Sequence, residues 1–128
     1  MEQFLKVLIV AKPGRVRDGL QALLTAIPEI GSVEQTDDTA SALKTIRKQR
    51  PDLVLLDFSL ASDELNTILK RINATSPQAR CLVLANDTQE QRVAQDSGAD
   101  GILIKGFTAE KLIETVKELL PAQGAYGR

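Results

Sequence analysis

Five short apolar runs, each followed by a longer stretch of helical period, leave this chain few possible architectures. The runs are Leu5 to Val10, Ser32 to Thr36, Leu53 to Asp57, Cys81 to Ala85 and Gly101 to Lys105. Strands alternating with helices imply successive βα units and therefore a parallel sheet, because a parallel neighbour is reached only through a crossover. The first, third and fourth runs are nearly continuous in Leu, Ile and Val, as expected of strands covered by helices on both faces. The second, Ser-Val-Glu-Gln-Thr, is polar and alternating, and is expected at an edge of the sheet. The class is α/β, in one doubly wound domain.

The intervening segments carry their own start and stop signals. The first helix is expected from about Arg15 to Ala26, with Val16, Leu20, Leu23, Leu24 and Ile27 as its apolar stripe and Pro28 ending it. The second begins at Asp38 or Thr39, stops before Pro51, and buries Ala42, Leu43 and Ile46. The third, from about Asp63 to Ala74, carries Leu65, Ile68, Leu69 and Ile72. The fourth is capped by Asp87, with Glu90 in the capping-box position, and stops at Gly98. The fifth starts at Thr108 and shows Leu112, Ile113, Val116, Leu119 and Leu120 before Pro121. These bounds give a domain over residues 1–121, with 122–128 as a tail or the start of a linker.

Composition removes several classes of function. A chain of 128 residues with 43% hydrophobic content can bury a core without disulfides or metal. Sixteen basic and 17 acidic residues leave a net charge of −1, which gives no sequence-independent attraction to nucleic acid. No run approaches the roughly 20 apolar residues of a membrane span, and no signal segment opens the chain, so a cytoplasmic location is expected. The single cysteine, Cys81, lies within an apolar run and is read as a buried thiol. With no histidine, imidazole-based catalysis and imidazole metal sites are excluded, and no enzymatic activity is expected.

Two residues stand out on the sheet. Asp57 closes the third run and Lys105 the fifth, so both emerge at the carboxyl edge, where open α/β sheets bind their ligands. An acid and a base thus face one crevice.

Three stretches carry a family resemblance: Val16-Arg-Asp-Gly-Leu-Gln-Ala-Leu-Leu24, Arg50-Pro-Asp-Leu-Val-Leu-Leu-Asp57 and Ser97-Gly-Ala-Asp-Gly-Ile-Leu-Ile-Lys105. In order and spacing they resemble a response-regulator receiver domain of two-component signalling over residues 4–120. The phrasing is most similar to receivers that precede a helix-turn-helix DNA-binding domain. The resemblance implies a flavodoxin-like sheet of order 2-1-3-4-5, with Asp57 at the phosphoacceptor position and Lys105 as the pocket lysine. It also implies a histidine kinase or another signalling protein as partner, and a homodimer through the fourth and fifth helices.

The departures from that family are as specific as the likeness. The two carboxylates that bind Mg²⁺ in such receivers fall at Ala11 and Lys12, so stable Mg²⁺ binding, which wants near-octahedral oxygen ligation, is not expected here. Beyond Asp57 the pocket offers whatever the Ser59 backbone supplies. The hydroxyl residue that ends the fourth strand is Ala85, and the aromatic residue of the fifth strand falls at Ile102; both moving parts of the family's switch are replaced. After Asp57, Leu60-Ala61 stand in place of Met-Pro and Leu65 stands at a Gly position, while Gly106 replaces the Pro after the lysine, as in many members of the DNA-binding subgroup. A family-type pocket with its metal is formally neutral, whereas Asp57, Lys105 and Lys12 leave one positive charge without it. A Lys12–Asp57 contact at ~4 Å would gain roughly 4 kcal/mol of Coulomb energy at an effective dielectric near 20, before desolvation takes most of it back. Alternatively, the Lys12 stem snorkels into solvent.

The leading expectation is an atypical receiver that acts by protein–protein interaction, with weak or no Mg²⁺-dependent phosphorylation at Asp57. The alternative is a working phosphoacceptor belonging to a DNA-binding transcriptional regulator, its output domain outside this chain. A flavin or nucleotide site has little support, because Ala11-Lys-Pro-Gly-Arg-Val-Arg17 holds a single Gly and no Ser or Thr.

Overall fold

The computed structural model describes residues 4–61 and 63–120; the expected tail at 122–128 lies outside them. The elements run β1 (Leu5–Val10), α1 (Arg15–Thr25), β2 (Ile30–Thr36), α2 (Thr39–Gln49), β3 (Leu53–Asp57), α3 (Phe58–Ala61), α4 (Leu65–Thr75), β4 (Arg80–Ala85), α5 (Thr88–Asp96), β5 (Gly101–Ile104) and α6 (Ala109–Leu119). All four strand pairings are parallel, in the order β2-β1-β3-β4-β5. This is the flavodoxin-like order expected.

Period-two alternation divides the core into two layers. Val7, Ile9, Leu53, Leu55, Leu82 and Leu84 face one side, where α1 and α6 cover them with Leu20, Leu24, Leu112 and Val116. Leu8, Val10, Val54, Leu56, Cys81 and Val83 face the other, under α2, α4 and α5. Both faces of β1, β3 and β4 are therefore dry over most of their length, which is why these strands read as nearly continuous aliphatic runs. β2 is indeed an edge: among its residues Ile30 alone is buried.

Helix starts follow their caps. Asp38 accepts the Ser41 amide at 2.7 Å, Asp87 that of Glu90 at 2.9 Å and Thr108 that of Lys111 at 3.0 Å, each contributing about 1 kcal/mol. The bonds from Ser41 also hold the Asp38 carboxyl below its ordinary pKa. At the amino edge of the sheet two aspartates staple strand pairs. The Asp52 carboxylate accepts the Lys6 amide, and the Asp100 carboxylate accepts that of Cys81, both at 2.8 Å.

Several boundaries differ from expectation. β2 starts two residues before Ser32, because Ile30 pairs with Leu5 and is buried. β5 ends at Ile104, although the Lys105 amide still donates to the Ala85 carbonyl at 2.8 Å. The third expected helix is α4, which begins at Leu65 rather than Asp63, and an unexpected four-residue helix, α3, directly continues β3. The reason lies in Phe58 and Leu65, which are both buried and fold the connection back onto the sheet.

Candidate functional site

At the carboxyl edge, Asp57 and Lys105 meet although 48 residues apart: the lysine Nζ donates to Asp57 Oδ1 at 2.9 Å. Asp57 is the last residue of β3, registered against Leu84, while Lys105 leaves the sheet one residue beyond β5. The lysine side chain thus spans β4 to reach β3. Gly106 then takes φ +102, a conformation that proline cannot adopt and that L-residues avoid, so the glycine is required by the turn. The same Oδ1 also accepts the Ser59 backbone N–H at 3.0 Å. The carboxylate is 15% exposed and the ammonium 25%, so the pair is partly dry. Oδ2 has no protein donor among the described residues.

The altered acidic-pair positions sit at the end of β1 and behave differently. Ala11 is buried; its amide donates to the Thr36 carbonyl at 3.0 Å, and its carbonyl accepts Arg17 Nη1 at 3.2 Å. Lys12 is exposed and takes no part in the ion pairs of the described residues, which are Arg80–Asp100, Lys105–Asp57 and Lys111–Glu114. The contact with Asp57 considered above is therefore not made, and Lys12 follows the solvated alternative. A fully hydrated ammonium on a flexible stem gains little by pairing with a carboxylate that already has a lysine.

At the switch positions, Ala85 is fully buried and Ile102 packs partly buried against the layer that holds Val83 and Ala94. Neither side chain can donate a hydrogen bond. The residue after Ala85 does so instead: Asn86 Nδ2 donates to Ser59 Oγ at 2.9 Å and to Glu90 Oε1 at 2.9 Å, while its backbone N–H donates to the same Glu90 oxygen at 2.8 Å. Glu90 thus reaches the amide before the cap rather than the Asp87 amide that a capping box would engage. Sequence reading missed Asn86 because an Asn that follows a strand looks like an ordinary loop residue. Its one signal is that a carboxamide stands beside a position that has lost a hydroxyl.

The fifth expected helix, α6, turns its apolar stripe inward, with Leu112 and Val116 fully buried and Ile113 packed against the same layer. Among the described residues, α5 leaves Val93 exposed.

The donor set fits Mg²⁺ poorly. One carboxylate, Asp57, faces the crevice, and one of its oxygens is held by an ammonium and an amide proton. Ala11 and Lys12 supply no side-chain oxygen, and no group of three or more acidic, Cys or His residues with metal-binding placement occurs among the described residues.

A five-stranded 2-1-3-4-5 sheet with an aspartate ending β3 and a lysine following β5 defines the receiver class of fold and site. The chain belongs to the response regulator receiver domain family, whose model matches residues 7–117. It is 32% identical over 117 residues to the sensory transduction protein LytT of Bacillus anthracis, covering 89% of this chain and 46% of that protein. It is 29% identical over 116 residues to the DNA-binding transcriptional activator DevR/DosR of Mycobacterium tuberculosis, covering 89% of this chain and 54% of that protein. The chain therefore spans about half the length of these curated relatives. Among solved structures, the signal receiver domain of NarL from Mycobacterium tuberculosis superposes with a TM-score of 0.79 at 23% identity, covering 98% of this chain and 99% of that one. No helix among the described residues is long and apolar enough to cross a membrane.

Proposed function

We propose that this receiver works by protein–protein interaction, with weak or no Mg²⁺-dependent phosphorylation at Asp57. The observation that carries this reading is the pair of residues following β1: a buried alanine and an exposed lysine where the chemistry needs two metal-binding carboxylates. Phosphoryl transfer to a carboxylate depends on a cation that neutralises charge on the transferring group and aligns it with the nucleophile. Lys105 supplies one positive charge, and its ammonium cannot organise several oxygens as a metal does. The partner is a histidine kinase or another signalling protein, met at the carboxyl edge. The exposed Val93 of α5 supports self-association through α5 and α6. On this reading the domain has no catalytic activity and no cofactor of its own.

A second reading rests on the intact Asp57–Lys105 pair: a phosphoacceptor in a DNA-binding regulator of the kind DevR/DosR is named for. Acetyl phosphate with and without MgCl₂, followed by intact-mass measurement, separates the two. The interaction reading expects little or no added phosphate and no stabilisation by Mg²⁺. Stoichiometric modification that needs Mg²⁺ and is abolished in Asp57→Asn would establish the second.

A further inference from the structure

The geometry points to a hydrogen-bonded relay from Asp57 to the first turn of α5, running through Ser59 and Asn86 in place of the hydroxyl and aromatic residues absent at Ala85 and Ile102. The inference concerns how the proposed site is coupled to the rest of the domain, and so rests on Asp57 being the residue whose state matters. Each link is in place. Asp57 Oδ1 accepts the Ser59 N–H at 3.0 Å; Ser59 Oγ accepts Asn86 Nδ2 at 2.9 Å; the same Nδ2 reaches Glu90 Oε1 at 2.9 Å. Glu90 lies in the first turn of α5, and its own amide is fixed by Asp87 at 2.9 Å.

The chemistry of the carboxamide makes the middle link directional. An NH₂ group has two protons, so one Asn86 nitrogen donates to Ser59 and to Glu90 at once and competes with neither. The backbone N–H of Asn86 donates to the same Glu90 oxygen, which closes a small ring around the strand end. A change at Asp57 that releases or re-aims the Ser59 amide moves the Ser59 hydroxyl, and the acceptor offered to Asn86 moves with it. Asn86 then shifts against Glu90, and the entry of α5 follows. A buried alanine and a packed isoleucine cannot transmit such a change by changing partners, because they have none to change.

The relay is tested by amide NMR and hydrogen exchange on four proteins: the parent, Asp57→Ala, Asn86→Ala, and the double variant. Asn86 is exposed, so its substitution leaves the fold intact, which a thermal melt confirms. In the parent background, Asp57→Ala is expected to shift the Asn86 side-chain and Glu90 backbone resonances and to speed exchange at Glu90 by roughly fivefold, the scale of one hydrogen bond. In the Asn86→Ala background the Glu90 response to Asp57→Ala is expected to disappear. Ser59→Ala, which keeps the Ser59 amide and removes the hydroxyl, cuts the relay at an independent point and is expected to abolish the response equally. Equal Glu90 responses with and without Asn86, or no response in the parent background, overturn the proposal. The readout needs neither metal nor phosphate, so it can fail while the interaction reading stands, and the acetyl phosphate experiment can fail while the relay stands.

Discussion

Removing the Lys105 ammonium is the sharpest perturbation of the site, and Lys105→Met does it while keeping the side chain's length. At 2.9 Å, the Coulomb attraction to Asp57 is about 6 kcal/mol for an effective dielectric near 20. Desolvation of the two ions offsets most of that. A fully buried pair that loses one partner costs about 3–5 kcal/mol, and an exposed pair about 0–1 kcal/mol. With the carboxylate 15% and the ammonium 25% exposed, this pair lies between those limits, and a loss of about 2 kcal/mol is expected. Asp57→Asn retains an acceptor for the Ser59 amide, so a double-mutant cycle with Lys105→Met isolates the ion pair, with an expected coupling of about 1.5 kcal/mol. Guanidinium unfolding at pH 7, followed by circular dichroism, measures all four proteins. A Lys105→Met loss under about 0.5 kcal/mol with no coupling to Asp57→Asn would refute the reading that this partly dry ion pair stabilises the fold.

Three other outcomes follow from the same geometry. Lys12→Asp is expected to move the melting temperature by less than about 3 °C in the absence of Mg²⁺, because the side chain is solvated and unpaired; a larger fall would show that its charge is felt at Asp57. Burial pushes the Cys81 thiol up to about 12 from an ordinary 9.0. The unfolded chain therefore loses this proton before the folded one, and the thiol's contribution is complete below pH 9.0 and lost as pH rises toward 12. The pH slope of unfolding free energy should be steeper in the parent than in Cys81→Ala by about 1.4 kcal/mol per unit in that window; equal slopes would contradict it. Ala85→Thr, which restores the family's hydroxyl at a fully buried position, is expected to cost about 1–3 kcal/mol by overpacking in denaturant unfolding, and an unchanged midpoint would show room that the packing denies.

The sheet was legible because its signal is periodic and repeated. Leu5–Val10 and Leu53–Asp57 match their expected bounds, since strands buried along most of their length read as nearly continuous aliphatic runs. The turn at Phe58–Ala61 was not legible, because four residues are too few to show a helical period and Phe58 is held by packing rather than by a cap. The meeting of Asp57 with Lys105 was readable from topology alone, as two strand ends on one edge of a parallel sheet. The orientation of Lys12 was not: a lysine at that point reaches the crevice or solvent equally well, and only the path of the chain into α1 decides. Asn86 was invisible for another reason, as its partners lie 27 residues back and four residues ahead, in different elements.

The two margins of the sheet are guarded by different means. β2 presents Ser32, Glu34 and Gln35 outward, so a strand from another molecule that approached its free amides and carbonyls would meet hydrated side chains and a charge. β5 is apolar, and its defence is brevity: four residues, opened by Gly101 and followed by Lys105, offer a short template for cross-molecule pairing. At high protein concentration these two borders disfavour strand-to-strand pairing between molecules.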